Sequence, residues 1–105
     1  MRFTVIDKNE NVYNVTRRIG YKPLGFNDNE EYNIVRLLDS SGYPRFHIYI
    51  KISKKDGSFS FNLHLDQKKP SYSGSTAHSG EYDGELVEQE SERIKSILES
   101  QNNVN

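Results

Sequence analysis

The sequence predicts an α+β domain: a three- to four-stranded, mainly antiparallel sheet with a C-terminal helix and a short N-terminal helix packed on one face. Three observations carry this reading. Residues 45–54 and 58–66 each alternate apolar with polar side chains, the mark of a half-buried strand. Asp56-Gly57 stands between them, a strong hairpin signal. Residues 84–99 place Val87, Ile94, Ile97 and Leu98 on one helical stripe, with acidic residues in the first turn where the helix dipole favours them.

The N-terminal segment fits two descriptions. Phe3, Val5, Val12 and Val15 suit two strands joined by a polar turn at 7–11. Val12, Val15 and Ile19 also fall at helical spacing, with Asn9 or Asn11 as a cap, Gly20 at the C-terminal position and Pro23 beyond it. A strand at 2–6 and a helix at about 11–19 is the preferred reading. Residues 24–31 read as a loop, 32–39 as a strand around Ile34, Val35, Leu37 and Leu38, and 40–44 as a turn. Residues 67–83 are rich in Ser, Gly, Pro and Tyr, a loop long enough to suggest a task of its own. Residues 1–99 are expected to form one domain, with a frayed polar tail at 100–105.

Composition narrows the function classes. The chain has 105 residues and no cysteine, which removes disulfides and thiolate metal ligands from consideration. No apolar run approaches a membrane span and the first residues are too short and polar for a signal peptide, so the expectation is a cytoplasmic protein without a membrane partner. The net charge of −1 argues against bulk attraction to polyanions. Charge is nevertheless segregated. The middle of the chain is basic (Arg45, Lys51, Lys54, Lys55, Lys68, Lys69), and 81–99 is acidic. Seven Tyr and five Phe mark a chain that folds rather than a disordered one.

The hairpin concentrates the chemistry. Its core face carries Phe46, Ile48, Ile50 and Ile52 on one strand and Phe59, Phe61, Leu63 and Leu65 on the other. The opposite face carries His47, Tyr49, Lys51, Asn62, His64 and Asp66. A two-residue turn at Asp56-Gly57 sets His47 opposite Asp66, and a four-residue turn over 54–57 sets His47 opposite His64. A one-residue slip would turn the core face to water. In either surviving register, His47, His64 and Asp66 are neighbours. Arg36 is a candidate addition to this face from the preceding strand. The long loop starts at its edge and brings Lys68, Tyr72, His78, Glu81 and Tyr82, which suggests that it folds back to make a pocket.

Four readings of this face compete. In the first, the histidines are satisfied strand and loop residues, Asp66 caps the loop, and Glu90, which interrupts the C-terminal apolar stripe, snorkels or pairs with a cation. In the second, His64, Asp66, His78 and Glu81 hold a divalent metal such as zinc, manganese or iron. In the third, two of His47, His64 and His78, near a lysine or arginine, act as general base, general acid and charge stabiliser on a phosphodiester, with Asp66 orienting one imidazole. No Gly-x-Ser-x-Gly turn or phosphate-cradling glycine loop points to other hydrolases. In the fourth, Tyr43, Tyr49, Tyr72 and Tyr82 form a stacking platform for single-stranded nucleic acid, with Arg45, Lys51, Asn62 and Lys68 as further binding residues, or the same face docks another protein.

The stretches Tyr-Pro-Arg-Phe-His at 43–47, Asn-Leu-His-Leu-Asp-Gln-Lys-Lys-Pro-Ser-Tyr at 62–72 and Ala-His-Ser-Gly-Glu-Tyr-Asp-Gly-Glu at 77–85 resemble those of short, uncharacterised prokaryotic proteins. The resemblance extends to Arg-Arg-Ile-Gly-Tyr at 17–21 and the final helix, and implies no activity, cofactor or partner. The sequence therefore favours a small binding domain, with nucleic acid as one candidate ligand. A small hydrolase or nuclease using His47, His64, Asp66 and His78, with or without a divalent metal, is the alternative.

Overall fold

The computed structural model describes residues 1–6, 10–67, 80–81 and 84–100. In chain order the elements are β1 (Arg2–Val5), α1 (Val12–Arg18), β2 (Lys22–Phe26), β3 (Tyr32–Leu37), β4 (Arg45–Ile52), β5 (Phe59–Asp66), β6 (Gly80–Glu81) and α2 (Glu85–Ser100). The sheet order is β1-β5-β4-β3-β2, every pair antiparallel, and β6 also pairs with β5. The fold is thus α+β with a C-terminal helix. The sheet has five principal strands rather than three or four, because residues 22–26 form β2 where a loop was expected from residue 24 onward. Gly and Pro make that segment read as a breaker. It is tolerated as a strand because β2 lies at the sheet edge, is exposed throughout, and shifts register between Pro23 and Gly25.

The hairpin closes through the longer of the two turns. Ser53 and Ser58 face each other, with the Ser53 N–H donating to the Ser58 carbonyl at 2.8 Å and the Gly57 N–H to the Ser53 carbonyl at 2.9 Å. The Asp56 carboxylate accepts from the Ser58 N–H at 2.9 Å, folding the turn on itself. Gly57 has φ +75°, a left-handed conformation that disfavours any side chain. A Cβ there would meet no neighbour, so the cost of Gly57→Ala is conformational alone. It should lower stability by about 1 kcal/mol, read as a shift in urea midpoint with an unchanged slope.

One face of the sheet is apolar and carries both helices. Val15 and Ile19 of the α1 region, Val87, Ile94 and Leu98 of α2, and Ile34, Ile48, Ile50, Phe61 and Leu63 of the sheet form one buried cluster. The helix α1 starts at Asn11, whose side chain accepts from the Asn14 N–H at 2.9 Å.

Glu90 sits in the middle of the α2 stripe and is 4% exposed. Its carboxylate accepts from the Tyr21 hydroxyl at 2.6 Å, from Arg36 Nη1 at 3.1 Å and from Arg93 Nε at 2.8 Å. Arg93 also donates to the Ile19 carbonyl at 2.6 Å. Arg36 therefore does not join the polar face. It lies opposite Phe46 on the helix-covered face and reaches α2 from there. Burial, together with the Glu90 charge, pushes the Tyr21 hydroxyl far above its usual range.

Candidate metal centre

The face of the sheet opposite the helices is built by alternation. Across four strands one row reads Lys22, Val35, His47 and His64, and the next reads Leu37, Arg45 and Asp66. His47 is directly opposite His64, the register of the four-residue turn, and Asp66 is the diagonal neighbour of His47. The two imidazoles pack at 4.7 Å between ring centroids, and Tyr49 stacks against both. His64 is only 2% exposed and His47 8%.

Both histidines converge on one carboxylate. His64 Nε2 lies 3.0 Å from Asp66 Oδ1, and His47 Nδ1 lies 3.2 Å from Asp66 Oδ2. Arg45 Nε donates to the same Oδ2 at 3.0 Å, and its guanidinium lies over the Tyr43 ring. Burial works against the charge on Asp66, but the hydrogen bonds from His47, His64 and Arg45 outweigh it and hold the carboxyl well below the usual carboxylate range.

The far side of His47 is held by Asn33. Asn33 Oδ1 is 3.2 Å from His47 Nε2, while Asn33 Nδ2 donates to the Glu31 carbonyl. With the amide so turned, Oδ1 is placed to accept from Nε2. His47 Nδ1 faces a carboxylate oxygen at 3.2 Å, a separation that a proton on the ring or an ion between the two groups would bridge. An outer oxygen partner on the non-ligating nitrogen is the arrangement that orients metal-bound histidines.

The candidate ligand atoms of His47, His64 and Asp66 all lie within 4.8 Å of one another. Around an ion with bonds of about 2.0–2.1 Å in tetrahedral array, ligand atoms stand about 3.3 Å apart. The two contacts to Asp66 are already close to that spacing.

Among the expected site residues, His47, His64, Asp66, Arg45 and Tyr49 come together. Asn62 lies opposite Tyr49 and is half-buried, while Lys51 is exposed opposite Ser60, one row beyond the pair Tyr49 and Asn62. Lys68, Tyr72, His78 and Tyr82 lie outside the described residues, as does the expected folding of their loop over this face. The backbone of Glu81 is placed in β6 beside Leu65, next to the edge that carries Asp66. Tyr49 is half-buried and packs against the histidine rings. Asn33 is the residue of this cluster that sequence reasoning missed. Finding it requires the β3–β4 register, which the turn at 40–44 does not specify.

Comparison with protein family models, with curated proteins and with solved structures finds no match for this chain.

Proposed function

We propose that the protein binds one divalent transition-metal ion, with zinc the best fit, through His47 Nδ1, His64 Nε2 and an oxygen of Asp66. The observation that carries the proposal is the convergence of two buried imidazole nitrogens on one carboxylate, with the outer nitrogen of His47 held by Asn33. Nitrogen and oxygen donors in this ratio suit zinc and its neighbours rather than magnesium or calcium. Three protein ligands leave a fourth position for water or substrate, the pattern of catalytic rather than structural zinc. An ion so held would supply a Lewis acid that lowers the pKa of a bound water, and the reaction class it would serve is hydrolysis of an ester or phosphodiester. Arg45 would anchor the ligand carboxylate from outside.

Zinc added to protein stripped with a chelator should raise Tm. At a hundredfold excess over Kd the gain is about 2.7 kcal/mol, worth roughly 10 °C or more in a domain of this size. His47→Ala and His64→Ala should each abolish the rise. Cobalt in place of zinc should give the absorption bands of a tetrahedral nitrogen–oxygen site. An unchanged Tm with zinc, cobalt and manganese would exclude the proposal.

A further inference from the structure

A concave feature lies on the opposite, helix-bearing face, between α1 and the β2–β3 edge. It is a groove of about 440 Å³, within the range of small-molecule sites. Val12, Tyr13 and Arg17 of α1 form one wall, while Phe26, Tyr32 and Ile34 of the sheet form the other. Tyr13 is 73% exposed and Phe26 60%, although Phe26 meets Tyr32 edge-on at 4.8 Å between centroids. The core does not account for two aromatic rings left in water on facing walls.

The charge at the rim selects the occupant. No acidic residue lines the groove among the described residues. The two adjacent arginines of α1 differ in their engagement. Arg18 pairs with Glu10 at 3.1 Å and donates to the Ile97 carbonyl at 3.0 Å. Arg17 makes no ion pair or side-chain hydrogen bond among the described residues, and it stands at the groove. Strand addition along β2 is disfavoured, because Pro23 lacks a donor and the register shift at 23–25 interrupts the edge.

We infer that this groove binds a small amphipathic carboxylate, with its apolar or aromatic body between Tyr13 and Phe26 and its carboxylate on Arg17. The planar guanidinium is suited to a bidentate carboxylate contact, and the aromatic walls remove the body from water. The groove opens on the other face of the sheet from the metal centre, and Asn33, whose side chain holds His47, is the residue that lines both.

The test uses the full ¹⁵N-labelled chain titrated with 4-phenylbutyrate and, separately, with the uncharged 4-phenylbutyramide. Saturable amide shifts should be confined to residues 12–17, 23–26 and 32–34, and the carboxylate should bind about tenfold more tightly than the amide. Arg17→Gln, an exposed substitution that should leave Tm unchanged, should erase that preference while the amide binds as before. Phe26→Ala should weaken both. Absence of saturable shifts, equal affinity for the two probes, or shifts that map elsewhere would each overturn the inference. So would a concentration-dependent dimer in sedimentation velocity that Phe26→Ala dissolves, which would assign the groove to a second copy of the chain.

Discussion

Glu90→Ala should lower the stability of the protein by about 3 kcal/mol, the low end of the cost of breaking a buried ion pair. The low end applies because Arg36 and Arg93 are partly exposed and can turn to water once the carboxylate is gone. The Tyr21 hydroxyl and the cavity left at the centre of the α2 stripe have no such recourse. Tm should fall by roughly 10–20 °C in a domain of this size, with cooperative unfolding retained. Tyr21→Phe isolates one arm of the network and should cost about 1 kcal/mol at pH 8.

The same pair gives a pH dependence with a defined sign. The Tyr21 hydroxyl titrates higher in the folded protein than in the unfolded chain. The folded state therefore holds that proton more tightly, and its contribution is complete below the unfolded value of about 10. Above that pH the contribution shrinks by about 1.4 kcal/mol per unit. The stability gap between wild type and Tyr21→Phe should accordingly close near pH 11 and then reverse. A gap that stays constant between pH 8 and pH 11 would show that the hydroxyl is not buried against Glu90.

Asp66→Asn is the second large effect, expected at about 2 kcal/mol in the presence of a chelator, measured by urea denaturation at pH 7. The carboxylate accepts from Arg45 and faces the two histidine nitrogens. An amide of the same size replaces one of the two accepting oxygens with an N–H group and removes the negative charge that Arg45 and the histidines share. Asp66→Asn should also remove the response to zinc. The two readouts separate the claims: the loss measured without metal reports the hydrogen-bonded network, and the zinc-induced rise reports the ion. Wild-type stability in the variant would show that the network contributes nothing.

How much of this was legible in the sequence follows from which interactions are local. The hairpin strands and their faces were readable because alternation has a period of two and a slip would turn the core to solvent. The proximity of His47, His64 and Asp66 followed from that alone. The choice between two turn lengths did not, since Asp56-Gly57 fits a two-residue turn as well as the last half of a four-residue one. Ser53 and Ser58 decided it by closing the ladder one residue pair later. β2 was hidden because a bulged edge strand with Pro and Gly carries no alternation to detect. Arg36, a candidate addition to the polar face, lies on the other one, and its partner there, Glu90, is 54 residues away on a different element. Glu90 itself was visible as an anomaly in an apolar stripe, and pairing with arginine was one of its two expected fates.

The strands that carry His47, His64 and Asp66 are bonded on both sides. β4 lies between β3 and β5, and β5 pairs with β4 along its whole length, with β1 over 59–62 and with β6 over 65–66. Amide protons in such strands open to exchange only when the whole domain opens. The three candidate ligands thus hang from the most slowly breathing part of the molecule. An incoming ion finds their backbone already ordered, so its binding free energy is not diverted into folding a loop.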